Sequence, residues 1–283
     1  MHHAKRLIPF AGAPMNRCKK NLQSCNVPHQ ENREFHLQPD FPGKAGVLLV
    51  HGFTASPWEM RPLAESLKQA GYPVTAVRLP GHGTTPEDLC QRRFEEWVTA
   101  TREAHDMLQQ ETGRVHTIGI STGALVLLAL ATTRNFGSMV LLSPFLAMLH
   151  RLAPFTGILR HFRKFQKREL PAHLAGFYYD RRPVNGVYQI CRLIHHIRPM
   201  LPSITVPTLA INALGDQTIK VASGYDLFLR LGSESKEYHL FGPQTGHGLA
   251  APDHPSWHPM LDLILRFLDS EDRDQPSPEQ VAP

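Results

Sequence analysis

Three side chains in this chain are of the types, and in the order, that activate a nucleophile. Ser121 lies in Gly119-Ile120-Ser121-Thr122-Gly123, Asp216 follows in Gly215-Asp216, and His247 stands in Gly246-His247-Gly248. A serine hydroxyl is a poor nucleophile until a base removes its proton, and an imidazole base needs a carboxylate to fix its tautomer. The G-x-S-x-G pattern carries this meaning at a strand-to-helix turn. There a tight turn lifts the serine out of a sheet, and glycines leave room where a Cβ would collide. A chain with 20 glycines offers chance matches; the alternative at Ser121 is a small serine capping a helix. The flanks decide for the turn. Arg114-Val115-His116-Thr117-Ile118 is strand-like, and Ala124-Leu125-Val126-Leu127-Leu128-Ala129-Leu130-Ala131 is helical and apolar.

The partners follow from where strands end. In an open parallel sheet, only the carboxyl ends of strands converge on one point. Val206–Ile211 reads as a strand running into the loop that holds Asp216, while Asp226 falls inside the next helix. Among 17 histidines, His247 has the matching placement, after the strand ending at Phe241. His254 and His258 lie farther on and suit surface or capping roles. A tetrahedral oxyanion needs two preorganised N–H donors. The backbone of Thr122, after the serine, and of Phe53, in the loop after the first buried strand, are placed for it; His51 suits a bracing role there.

The elements that must position these residues alternate. Val47–Val50 is a short apolar strand; a helix follows from Met60 to Ala70 and a strand from Tyr72 to Leu79. Pro86–Thr112 is helical for most of its length, with Trp97, Ala100, Ala104, Met107 and Leu108 on its apolar face. After the serine turn come a strand at Ser138–Ser143, the strand 206–211, a helix at Ala222–Leu231, a strand at Lys236–Phe241 and a helix at Trp257–Leu268. Such alternation specifies an α/β domain with a mainly parallel central sheet and helices on both faces. The expected organisation is a poorly structured arm at 1–32, a core at 33–143 and 204–270, an insertion at 144–203 and a disordered tail at 271–283.

Composition narrows the classes. At 283 residues, 42% hydrophobic and net charge +5, the chain can bury a sizeable core and lacks the dense basic stripe of a nucleic-acid binder. Cys18, Cys25, Cys90 and Cys191 show no zinc spacing, and Cys18 and Cys25 with His29 lack a fourth ligand, so free thiols and no metal are expected. Met1–Phe10 has basic residues but no apolar core of a secretion signal before Pro14, which points to a cytoplasmic location.

Taken together, His51-Gly52-Phe53-Thr54-Ala55-Ser56-Pro57, Leu79-Pro80-Gly81-His82-Gly83-Thr84, the Gly119–Gly123 turn, Gly215-Asp216 and Gly246-His247 resemble the α/β-hydrolase superfamily. They are most similar to its carboxylesterase and monoacylglycerol-lipase branch, which includes serine aminopeptidase-like proteins. The resemblance spans about residues 45–270. It implies a Ser121–Asp216–His247 triad, Phe53 and Thr122 as oxyanion donors, and a helical cap at 144–203. It implies cleavage of a small-molecule ester or lipid through an acyl-serine intermediate, with no cofactor; thioester, amide or carbon–carbon hydrolysis uses the same triad. A non-catalytic binding protein on this fold is the reading from another class. Two positions depart from the pattern: Ala124 where many members have a second glycine, and Thr122 where an apolar residue or glutamine often follows the serine.

In the insertion, Leu149, Leu152, Phe155, Leu159, Phe162 and Phe165 recur at helical spacing, among Arg151, Arg160, Arg163, Lys164, Lys167 and Arg168. Pro154 and Gly157 are expected to divide this stretch into two short helices. One reading packs the apolar face on the domain; the other rests the basic cap weakly on an anionic membrane.

Overall fold

The computed structural model describes residues 29–41 and 43–273. Seven strands form one sheet: β1 (Phe35–Leu37), β2 (Gly46–Val50), β3 (Val74–Val77), β4 (Val115–Ile120), β5 (Met139–Leu142), β8 (Thr208–Ala213) and β9 (Lys236–Phe241). Between β5 and β8 lie β6 (Phe165–Lys167) and β7 (Arg181–Pro183), which pair antiparallel as a separate hairpin. The sheet order is β1-β3-β2-β4-β5-β8-β9, and all neighbours are parallel except β1 against β3. From the edge strand β1 the chain crosses to β2, moves back to β3 on one side of it, and then goes to β4 on the other. The loops after β2 and β4 therefore diverge and leave a crevice at the carboxyl end of the sheet.

Strands β2, β4, β5 and β8 are buried along their whole length, and their alternate residues feed two cores. Val47 and Leu49 point to the core formed with α1 (Arg61–Gln69) and α8 (Trp257–Arg273). Leu48 and Val50 point to the core formed with α3 (Phe94–Thr112), α4 (Thr122–Leu130), α6 (Val184–Ile197) and α7 (Val221–Arg230). All nine residues of α4 are buried, so its apolar sequence on every side is what its place requires.

Several expected boundaries shift. The long helix divides at Arg92 and Arg93 into α2 (Pro86–Gln91) and α3, where both residues are extended and Arg93 takes part in a capping box with Glu96. On α3 Met107 is exposed, and Thr101 and His105 take the buried positions instead. Helix α8 does not end at Leu268 but continues to Arg273, because its acidic residues have partners. Asp269 accepts from Lys44 and Tyr72, and Asp272 pairs with His116 of β4.

The insertion also differs from two helices. Residues 153–155 form a 3-10 turn and α5 (Thr156–Leu159) a single turn, after which Phe165 belongs to the hairpin. Its apolar side chains do not pack on the domain as one face: Ile158 is 66% and Phe162 85% exposed. The long helix of the insertion is α6, where Ile190, Leu193, Ile194 and Ile197 join the core beside α4. Of the arm expected at 1–32, residues 1–28 lie outside the described residues; at its end Asn32 is buried, accepts from Ser56 and donates to Gly176 O. Cys18, Cys25 and the end of the tail from 274 also lie outside; Cys90 and Cys191 are free thiols.

The serine turn is pressed against the sheet so closely that two glycines have no substitute. A Cβ on Gly123 would stand 2.1 Å from Val50 O, and one on Gly119 2.6 Å from Gly123 C. Both obstacles are backbone, so relief requires moving α4 off β2 in the first case and off β4 in the second. Gly123→Ala should lower the unfolding free energy by about 2 kcal/mol or more, the range of forced overpacking. Gly242→Ala, with nothing within 4 Å of the new Cβ, should stay within about 0.5 kcal/mol. Urea unfolding midpoints measure both, and equal midpoints would refute this account of the turn.

Candidate active site

At the end of β4 the chain turns through Ser121 with φ 54° and ψ −114°. This is a sparsely populated conformation that costs a non-glycine residue on the order of 1–3 kcal/mol. It is held by Ser121 N–H donating to Leu142 O (2.8 Å) and by Leu125 N–H donating to Ser121 O (3.3 Å). The hydroxyl is thereby presented above the sheet and not toward its own helix.

Two loops bring its partners. Asp216 follows β8 and is buried; its Oδ1 accepts from the backbone N–H groups of Thr218 (2.7 Å) and Ile219 (3.1 Å). Its Oδ2 is left for His247 Nδ1 at 2.5 Å, and His247 Nε2 lies 2.9 Å from Ser121 Oγ. A carboxylate accepts only, so the imidazole proton is on Nδ1, and Nε2 offers its lone pair to the serine hydroxyl. The loop carrying His247 is pinned by Ser143 Oγ donating to His247 O (3.0 Å) and by Gly246 N–H donating to His254 Nε2 (3.0 Å). His254, expected in a surface or capping role, thus braces the loop, and its Nδ1 lies 3.3 Å from Ser256 N ahead of α8. Asp226 stays on α7, ion-paired to Arg230 at 2.9 Å.

The loop after β2 forms the facing wall. Gly52 N–H donates to Glu59 Oε2 (2.7 Å), and the Tyr178 hydroxyl of the insertion donates to Glu59 Oε1 (2.7 Å). Burial pushes the Glu59 carboxyl above its usual range. Among the described residues the N–H of Phe53 has no protein acceptor, and that of Thr122 opens α4 with no intrahelical one. Both residues border the same cavity of about 540 Å³ that holds Ser121 and His247. Inside, Phe145, Met148, Val187 and Ile190 make an apolar side; Glu59, Arg168, Tyr178 and Arg182 make a polar one. The Thr122 hydroxyl is buried with no hydrogen-bond partner among the described residues.

Four of the five residues singled out from sequence, Phe53, Ser121, Thr122 and His247, therefore meet at one cavity, and the fifth, Asp216, stands behind His247. Sequence reasoning missed Glu59, His254, Tyr178 and both arginines. An acidic residue in the first turn of a short helix gives no signal, and the insertion residues reach the site only through packing.

A model of the alpha/beta hydrolase family matches residues 47–192. A thermostable monoacylglycerol lipase of Bacillus sp. (strain H-257) is 30% identical over 199 residues, which cover 69% of this chain and 80% of the lipase. The chain belongs to the alpha/beta hydrolase family. A carboxylesterase of Bacillus subtilis (strain 168) is 26% identical over 215 residues, 72% of this chain and 85% of that enzyme. Among solved structures, a metagenome-derived lipolytic enzyme superposes with a TM-score of 0.75 at 22% identity, covering 85% of this chain and 98% of its own. In this alpha/beta hydrolase the motifs quoted above thus sit on the fold that their family implies. No helix among the described residues is long and apolar enough to cross a membrane.

His51 supports the loop after β2. Its Nε2 accepts from Leu79 N–H (3.2 Å), so its Nδ1 carries the proton donated to Gly52 O (2.9 Å). Burial pushes the His51 pKa down to about 4. The folded state binds its proton more weakly than the unfolded chain, whose His titrates near ~6.5. The stability tied to neutral His51 is therefore complete above pH ~6.5 and is lost as pH falls toward ~4. Between pH 7 and pH 4.5 this group should remove about 2–3 kcal/mol, a pKa unit being worth ~1.4 kcal/mol. His51→Gln should lower stability at pH 7 yet flatten this pH dependence in urea titrations. Parallel pH curves for the two proteins would show that His51 is not the titrating group.

Proposed function

We propose that the protein is a serine hydrolase that cleaves carboxylic esters, with Ser121 as nucleophile, His247 as base and Asp216 as the acid that orients it. The observation that carries this reading is the unbroken line Asp216 Oδ2 – His247 Nδ1 – His247 Nε2 – Ser121 Oγ, at 2.5 and 2.9 Å. His247 takes the serine proton as Oγ attacks the acyl carbon. The free N–H groups of Phe53 and Thr122 receive the oxyanion. His247 then gives its proton to the leaving alcohol, an acyl-Ser121 remains, and water activated by His247 releases the acid. Asp216 stabilises the imidazolium that forms twice in this cycle.

The ester class is supported by the apolar side of the cavity and by the monoacylglycerol lipase and carboxylesterase among its relatives. Short- to medium-chain acyl esters and monoacylglycerol-like lipids fit it, and no cofactor takes part. Thioester, amide or carbon–carbon hydrolysis would run on the same three residues. The insertion at 144–203 acts as the cap in this scheme.

Ser121→Ala should abolish hydrolysis of p-nitrophenyl esters and labelling by a fluorophosphonate while leaving the fold intact. Asp216→Asn should lower kcat by about 10⁴-fold, since it leaves His247 with the wrong tautomer. Asp226→Asn should be close to neutral. Ester hydrolysis that survives in Ser121→Ala, or a larger loss in Asp226→Asn than in Asp216→Asn, would overturn the assignment.

A second reading concerns where the substrate is met. Phe155, Ile158 and Phe162 are exposed on the cap, beside Arg151, Arg163, Lys164 and Lys167, which are exposed as well. Apolar side chains ringed by cations suit weak contact with an anionic lipid surface, each cation contributing roughly 1 kcal/mol there. Sedimentation with vesicles should rise with anionic lipid content, fall with salt and weaken when Arg163, Lys164 and Lys167 become Gln. Partition that ignores lipid charge would remove this reading.

A further inference from the structure

The polar side of the cavity contains more positive charge than the reaction described above uses. Arg168 follows the strand β6 and Arg182 lies in β7, so the hairpin of the cap lowers two guanidiniums into the space above Ser121. Both are half-buried, and neither forms an ion pair among the described residues. Their neighbour Arg181, on the other face of the same strand, is by contrast paired with Glu87 at 3.0 Å. Arg168 has structural contacts: it donates to Thr54 Oγ1 (3.3 Å) and lies over the Tyr178 ring, 5.5 Å from its centroid. The Arg182 guanidinium has no hydrogen-bond partner among the described residues, and burial, then the nearby charge of Arg168, disfavours its own charge.

No carboxylate among the described residues forms an ion pair with either of them. Glu59 attracts Arg168 only at a distance, because it commits one oxygen to Gly52 N–H and the other to Tyr178. Asp253 is exposed at the rim of the cavity. A partly desolvated pair of like charges without a counterion is unfavourable and is relieved by an anion between them. Guanidiniums offer forked N–H donors that match phosphate and carboxylate oxygens.

We propose that Arg168 and Arg182 are the anion-binding side of the substrate pocket, so that the ester cleaved at Ser121 carries a phosphate or a carboxylate on its alcohol part. This rests on the assignment of Ser121 as the nucleophile of an ester hydrolase. The acyl chain lies along Phe145, Met148, Val187 and Ile190, and the charged alcohol lies beneath the hairpin. The chemistry needs only water: the acyl carbon–oxygen bond breaks, the anionic alcohol leaves with the proton from His247, and water then supplies the hydroxyl of the acid and restores the serine proton.

Three soluble esters with one acyl chain test this: hexanoylglycerol, hexanoylglycerol phosphate and O-hexanoylglycerate, each followed by release of hexanoate. At least one anionic ester should show kcat/KM about tenfold or more above the neutral one, and whichever it is tells phosphate from carboxylate. Arg182→Gln should reduce that ratio by about tenfold, and Arg182→Lys should restore part of it. Arg102→Gln, on the exposed face of α3, should not change the ratio. On the unsubstituted protein, glycerol 3-phosphate or glycerate should inhibit competitively where glycerol does not, which keeps the test valid if an arginine variant fails to fold. No preference for either anion, a ratio unaffected by Arg182→Gln, or an equal loss in Arg102→Gln would overturn the proposal. Failure of all three esters, together with no fluorophosphonate labelling of Ser121, would instead remove the ester hydrolase reading beneath it.

Discussion

Everything at the active end of this molecule depends on how closely α4 is pressed against β2. The space for a Cβ at Gly123 is occupied by the carbonyl of Val50, so helix and strand touch backbone to backbone. That contact fixes where the turn at Ser121 can lie and forces its unusual φ. It also brings the loop after β2 alongside the start of α4. The proposed nucleophile and the two N–H groups proposed to receive the oxyanion are thus set by one packing distance. No side chain is needed to aim them, so the departures at Thr122 and Ala124 are harmless to the turn: the backbone does the positioning.

The fold was largely legible because its strands are buried on both faces. Val47–Val50 and Met139–Leu142 are apolar runs that admit few other readings, and the glycine-bounded Ser121, Asp216 and His247 each follow such a run. Periodicity misled where burial is not set by hydropathy. Thr101 and His105 fill core positions on α3, while Met107 faces solvent. On α8 the acidic residues past Leu268 looked like the start of a solvated tail. They continue the helix because Lys44, Tyr72 and His116 wait on the sheet, and those positions are distant in sequence.

The insertion was the least legible part. Its spacing of apolar residues imitates a helix from Leu149 to Phe165, yet only one α-helical turn forms there and the chain then enters a hairpin. Pro154 and the glycine at 157 limit helix length, and the apolar residues find no core to cover them. What the insertion gives to the cavity comes from short segments: Arg168 and Tyr178 in the connection of the hairpin, and Arg182 in its second strand. Placement of that kind arises from tertiary contacts and leaves no periodic trace.

The hydrogen bond from Tyr178 to Glu59 has a consequence for timing. Glu59 also receives the N–H of Gly52, so a side chain of the cap and the loop next to Phe53 share one buried carboxyl group. Next to it, Tyr179 donates to Gly81 O and accepts from Thr84 N–H, tying the same stretch of cap to the loop after β3. Raising this part of the cap would break these hydrogen bonds, together with that from Tyr179 N–H to Thr54 O, and leave Glu59 short of a donor while the Gly52 loop still depends on it. In the proposed scheme entry and chemistry would then alternate, since the stretch of cap that would have to rise also seats the loop facing Ser121, and the loop would regain its support only when that stretch is down.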